Sequence, residues 1–231
     1  MKVIIDRDRI RRRAQASHAA SLGGLLTMLA SVAVSLFRPD LATLTLVMLL
    51  AGFAAASIGI YFANRWVKKP RPEEVLDQAL KGLDDHHRLY HYLPKGSDHL
   101  LLTPRGLVPL ITRSGEGEYS YADGRWKQRI TMGKALRFFV EEPLGDPIVE
   151  ARAVADRLAA CLRSALPEGS SVPIHPMVVF THPAASLDRK GNPLPVCQPK
   201  QLKGELPKIL PSLKSELYEQ LRELLDRGGP C

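Results

Sequence analysis

Ser97–Arg113, SDHLLLTPRGLVPLITR, is the stretch on which the reading of this chain turns. Leu100, Leu101 and Leu102 form a continuous apolar run. Pro104-Arg105-Gly106 supplies a turn, and Leu107, Val108, Leu110 and Ile111 resume the apolar pattern. Short apolar runs bounded by Pro and Gly predict two buried strands joined by a tight turn. Asp98 stands at the mouth of the first strand, where a polar side chain beside a buried run is a candidate functional group.

The elements around this hairpin read as a mixed α/β pattern. Val75, Leu76, Ala79, Leu80 and Leu83 recur at helical spacing and predict a helix over Glu73–Leu83. His86–Leu93 reads as a strand. Glu118–Tyr121 and Arg125–Ile130 flank Ala122-Asp123-Gly124, and Asp-Gly is a hairpin-turn signal. Asp146–Leu166 predicts a long helix with Asp146 as cap and Pro147 in the first turn. Met177–Phe180 is a buried-strand run, Pro183–Pro199 is Pro-rich and loop-like, and helix resumes from Lys200 with Pro207 and Pro211 as breaks. Leu213, Leu217, Leu221 and Leu224 make a final apolar stripe, expected to dock on the sheet. The order predicts an α/β (α+β) sandwich with a mixed central sheet.

The first third is of a different kind. Ala19–Phe37 is 19 residues without a charge, and Leu41–Phe62 is 22 more, separated only by Arg38-Pro39-Asp40. Each is long enough to cross a hydrocarbon core of about 30 Å at about 1.5 Å per residue. The expected organisation is a basic N-terminus at 1–18, a transmembrane helical hairpin at 19–67 with spans at about 19–37 and 41–62, a linker at 68–72 and a soluble domain at 73–231. Small residues in both spans (Gly23, Gly24, Ala30 and Ala33; Gly52, Ala55, Ala56 and Gly59) permit close helix approach.

The net charge is +8, and all of the excess is N-terminal: residues 1–72 hold eleven Lys and Arg against three Asp, whereas residues 73–231 balance to zero. A domain that grips nucleic acid through many phosphates carries a basic footprint. The soluble part carries none, so nucleic acid is only a weak partner expectation. The cations flank the two apolar runs, and the positive-inside rule then places both termini in the cytoplasm of a two-pass cell-membrane protein. The lipid bilayer is the expected partner, with a homo-oligomer through the transmembrane or C-terminal helices as a further expectation. Cys161, Cys197 and Cys231 form no C-x-x-C pair, and their odd number fits unpaired thiols in a reducing compartment. His87 and His91 are four residues apart. On a strand that is about 13 Å, too far for one metal. Neither a P-loop nor G-x-S-x-G nor G-x-G-x-x-G occurs.

Asp98-His99-Leu100-Leu101-Leu102, Pro104-Arg105-Gly106-Leu107, Trp126 and Asp146-Pro147 resemble, in order and spacing, the nuclease-related domain, a branch of the restriction-endonuclease-like fold. The resemblance spans roughly 73–225 and is most specific at Asp98–Gly106. It implies a site in which two carboxylates hold Mg²⁺ and a Lys stands near the attacking water, the metal polarising the phosphate and lowering the water pKa. Asp98 matches the first metal carboxylate. Ile111 stands where the family has Glu, and Arg113 where it has Lys. Isoleucine does not ligate a cation, and arginine stays protonated while still able to contact phosphate. The resulting expectation is a membrane-anchored domain with a degenerate active site, acting as a binding or scaffolding module, with no certain cofactor and catalysis doubtful. The alternative is an active Mg²⁺-dependent nuclease or phosphodiesterase that uses Asp98 with a relocated carboxylate from Glu73, Glu74, Glu116 or Glu118. A third reading is a structural, oligomerising membrane protein.

Overall fold

The computed structural model describes residues 1–93, 97–129, 144–167, 169–206 and 212–229. The chain forms two compact units. One holds Met1–Asp6 together with the described residues from Pro72 onward. The other holds the stretch from Arg7 to Arg71.

In the first unit a six-stranded sheet runs in the order β1 (Lys2–Ile5), β2 (Arg88–His91), β3 (His99–Thr103), β4 (Gly106–Arg113), β7 (Met177–Phe180), β9 (Val196–Cys197). The pairs β1–β2, β4–β7 and β7–β9 are parallel, and β2–β3 and β3–β4 antiparallel, so the sheet is mixed as expected. A second sheet has the order β6 (Arg125–Arg129), β5 (Gly117–Ala122), β8 (Ala185–Asp188). Asp123 and Gly124 both take positive φ at the β5–β6 turn, as a two-residue Asp-Gly hairpin requires.

Alternation along the strands sorts the core into layers. Leu89, Leu101, Val108, Leu110 and Met177 face one side, against Leu76 and Leu80 of α3 (Pro72–Leu80) and Leu202 of α5 (Pro199–Glu205). Tyr90, Leu100, Leu102 and Leu107 face the other, against Leu158 and Leu162 of α4 (Pro147–Ala165) and Leu221 and Leu225 of α6 (Ser215–Asp226). The C-terminal apolar stripe therefore docks on its own sheet. Beside this layer, Ile111, Val178 and Phe180 meet Ile148 and Ala151 of α4 and Tyr119 and Trp126 of the small sheet. Asp146 caps α4 by accepting from the N–H groups of Ile148 and Val149, each at 3.1 Å. Gly106, at φ +139°, lets β4 approach Pro173, whose carbonyl would lie 2.4 Å from a Cβ placed there.

The structure departs from the sequence reading in places. Lys2–Ile5, assigned to a basic N-terminal segment, joins the sheet as β1, pairing Lys2 with Arg88 and Ile5 with His91. Three apolar residues after a single Lys are too short a run to mark a strand alone, and pairing with the edge of β2 fixes it. The Pro-rich segment after Pro183 contains β8 and β9, each kept short by its prolines. Cys197 is a buried free thiol, whereas Cys161 is disulfide-bonded, against the expectation of unpaired thiols. Cys231, Ile130 and the breaks at Pro207 and Pro211 lie outside the described residues.

The second unit is a helical hairpin of α1 (Arg7–Phe37) and α2 (Ala42–Trp66), joined through the 3₁₀ turn Pro39–Leu41. Its buried residues recur every seven: Ile10, Ser17, Gly24 and Ser31 on α1, and Thr45, Gly52, Gly59 and Trp66 on α2. This is a coiled-coil seam built of small residues. Ser17 Oγ donates to the Gly59 carbonyl at 2.8 Å, and Ser31 Oγ to the Thr45 carbonyl at 2.6 Å. A Cβ on Gly24 would lie 2.4 Å from the Ala56 nitrogen. The outer surface is apolar: Leu22, Leu29, Leu36, Phe37, Leu50 and Phe53 are all more than half exposed. Both helices are long and apolar enough to cross a membrane. Gly23, Ala30 and Ala33 lie off the seam, and Gly23 meets nothing within 4 Å.

Candidate functional site

Asp98 sits one residue before β3, half-buried, and its carbonyl accepts the Tyr92 N–H at 2.6 Å. The β3–β4 ladder pairs Leu102 with Leu107 and Leu100 with Pro109. Continued two residues, that register sets Asp98 opposite Ile111. At the position where the resemblance places a second carboxylate, the side chain is that of Ile111. Ile111 is 5 % exposed and packed among Tyr119, Trp126, Ile148 and Phe180.

Arg113, two residues further along the same face, is buried and fully engaged. Its Nε donates to the Leu144 carbonyl at 3.0 Å, one terminal nitrogen donates to the Thr112 carbonyl at 3.0 Å, and the other pairs with the Glu150 carboxylate. Leu144 precedes the cap of α4 and Glu150 lies in its first turn, so the guanidinium ties β4 to the start of that helix. A Lys, with one point-like ammonium, could not make this fork.

The other candidate carboxylates lie on α3 and at the start of β5. Glu73 is buried on α3 and accepts from the Tyr92 hydroxyl at 2.8 Å. Glu74 is half-buried on the same helix. Their helix α3 packs on the sheet face that bears Leu101 and Val108, whereas Ile111 lies in the cluster with Ile148 and Phe180. Glu118 is exposed on β5 and bridges Arg129 at 3.2 Å. Glu116 precedes β5, and its carbonyl accepts from Gln128 at 3.1 Å. Among the described residues no group of three or more His, Cys, Asp or Glu side chains could hold a metal ion. Mg²⁺ takes octahedral oxygen ligands. One carboxylate facing an isoleucine does not fit that requirement.

A polar cluster that the sequence reading missed lies at the same strand ends. His91 and His99 are direct cross-strand partners, with their Nδ1 atoms 2.8 Å apart. His91 Nε2 lies 3.0 Å from Asp77 Oδ1 on α3. A carboxylate only accepts, so the Nε2–H of His91 donates to Asp77. Tyr92, at φ +59°, stacks edge-on against His99 at 5.0 Å. His91 was weighed with His87, which instead pairs with Asp84 at 2.6 Å and holds that carboxyl below its usual range. The missed signal was pairing register rather than helical spacing. Once Arg88–His91 pairs with His99–Leu102, the two imidazoles must face one another.

Residues 70–181 match the model of the nuclease-related domain. This stretch is a nuclease-related domain. The match takes in α3, β2–β7 and α4, which includes Asp98, Ile111, Arg113 and the His91–His99 pair. The strands β8 and β9 and the helices α5 and α6 follow the matched stretch of the nuclease-related domain. No curated protein and no solved structure matches the chain significantly.

Proposed function

We propose that the protein is a membrane-anchored nuclease-related domain whose metal site has degenerated and which serves as a binding or scaffolding module. The single observation that carries this reading is the replacement opposite Asp98: a buried isoleucine stands in the position of the second carboxylate. The engagement of Arg113 by Glu150 and two carbonyls supports it, because that cation is committed to holding α4. The test is manganese binding by the full chain in detergent, followed by electron paramagnetic resonance, beside Asp98→Ala. The reading expects the same weak binding by both proteins. A tight site abolished by Asp98→Ala would overturn it in favour of a Mg²⁺-dependent phosphodiesterase.

The anchoring rests on the lipid-compatible outer surface of α1 and α2. Chain connectivity supports two crossings. Lys2–Ile5 precedes the hairpin, Arg88–His91 follows it, and the two strands pair in one folded unit. Both flanks of the hairpin then share one side of the membrane, and their cations support the cytoplasm as that side. The disulfide at Cys161 favours the opposite, oxidising side. Labelling of single cysteines introduced at Pro39 and at Glu118 with a membrane-impermeant reagent decides between them. Cytoplasmic placement predicts that intact cells label the first and not the second, and the reverse pattern would refute it.

A further inference from the structure

The two ends of the helical hairpin differ sharply in charge. At the turn, Arg38 and Asp40 neutralise one another through two hydrogen bonds of 3.0 and 2.9 Å. At the open end, Arg7, Arg9, Arg11, Arg12 and Arg13 of α1 come beside Arg65, Lys68, Lys69 and Arg71. The heptad seam brings them there, because Ile10 and Trp66 are its last buried pair. Within the described part of this unit the acid at that end is Asp8, which pairs with Arg11 at 3.2 Å. Arg12, Arg13, Lys68 and Lys69 are exposed. The Arg13 guanidinium lies 5.7 Å from the centre of the Trp66 ring, and that of Arg65 lies 6.0 Å from it. A guanidinium over an indole face is held by cation–π attraction while its N–H groups remain able to donate. Tryptophan with arginine at the end of an apolar helix marks the headgroup level of a bilayer.

We propose that this end of the hairpin is a binding site for anionic phospholipid headgroups. Arg12, Arg13, Lys68 and Lys69 meet the lipid phosphates, and Trp66 fixes the position of Arg13. The proposal rests on the membrane-anchored reading and adds a lipid class to it. Charge complementarity selects the occupant: clustered cations beside a membrane span are attracted to the negative surface of an anionic leaflet, each adding to the affinity.

The test uses the full chain in nanodiscs of phosphatidylcholine alone and of phosphatidylcholine mixed with phosphatidylglycerol, reading the lipids retained on the protein by native mass spectrometry. The expected result is selective retention of phosphatidylglycerol. The combined substitution Arg12→Gln, Arg13→Gln, Lys68→Gln and Lys69→Gln lowers that preference by roughly tenfold or more. Arg38→Gln at the neutral end leaves it unchanged. Equal retention of the two lipids by the unsubstituted protein, or an undiminished preference in the fourfold variant, overturns the proposal. So does displacement of the retained lipid by RNA at physiological salt, which would assign the cations to nucleic acid. Alkaline carbonate extraction separates the two readings. Release of the protein from membranes defeats the anchoring itself, whereas a protein that stays embedded without lipid preference defeats only the lipid site.

Discussion

Arg113 and Glu150 form an ion pair that fastens the last residue of β4 to the first turn of α4. Arg113, which stands where the resemblance places a Lys, here holds the helix whose Ile148 packs against Ile111. Arg113→Ala removes the fork and leaves the Leu144 and Thr112 carbonyls without their donor. Glu150 is half exposed, so the ion pair itself adds little, and the loss comes mainly from the carbonyls left without a donor, about 1–3 kcal/mol. Arg113→Lys, which keeps the charge and loses the fork, should recover only part of that loss. Thermal melts of the full chain in detergent, followed by near-ultraviolet circular dichroism, measure both.

The small-residue seam makes a sharper structural forecast. Gly24→Leu drives a side chain into the backbone of α2, where a Cβ alone would lie 2.4 Å from the Ala56 nitrogen and 2.6 Å from the Gly52 carbonyl. Gly23→Leu, one residue away, meets nothing within 4 Å. Cysteines introduced at Ser31 and Thr45 should therefore cross-link readily in the Gly23→Leu background and poorly in Gly24→Leu. Equal cross-linking in both would discard the seam.

The cluster at the ends of β2 and β3 should be sensitive to single-atom changes. Tyr92→Phe removes the hydroxyl that donates to buried Glu73, and an acceptor that loses its donor costs about 1–3 kcal/mol. Asp77→Asn can still accept from His91 through its amide oxygen and sits on a half-exposed side chain, so it should cost less. Amide exchange of His99–Leu102 reports the difference. Faster exchange is expected in Tyr92→Phe than in Asp77→Asn.

Alkaline stability follows from two buried acids. Burial, together with the nearby Glu205 carboxylate, pushes the Cys197 thiol up to about 12. Burial and then the hydrogen bond with Asp226 push the Tyr90 hydroxyl well above its usual range. Each group holds its proton more tightly folded than unfolded. Stability from both is therefore complete below their ordinary values and falls as pH rises through about 9 to 10 and beyond. Denaturation midpoints should drop across that window, and less steeply in Tyr90→Phe and in Cys197→Ala.

What the sequence made legible was whatever had a strong local period or a turn residue. The β3–β4 hairpin, the capped helix after Asp146 and the two apolar helices all announce themselves this way; the structure places the hairpin and the capped helix within a residue or two of expectation, and extends the first apolar helix back to Arg7 and the second on to Trp66. The strand β1 was hidden because its pattern gains meaning only from the edge of β2. Strands β8 and β9 were hidden by prolines that shorten them without abolishing their pairing. At the site, the departure of Ile111 and Arg113 from the family pattern was readable, but the use of Arg113 as a staple was not, since Leu144 and Glu150 reach it only in three dimensions. The contact between His91 and His99 likewise depends on register, which a list of histidine spacings does not contain.

The central claim is that the nuclease-related domain has lost its metal-dependent chemistry. The most direct measurement is cleavage of single- and double-stranded DNA by the full chain in detergent, with Mg²⁺ and with Mn²⁺, beside Asp98→Ala shown by circular dichroism to be folded. The account predicts that neither protein cleaves above a no-enzyme control. Metal-dependent cleavage by the unsubstituted chain that disappears in Asp98→Ala would contradict it, and would mean that a carboxylate other than one at position 111 completes the site.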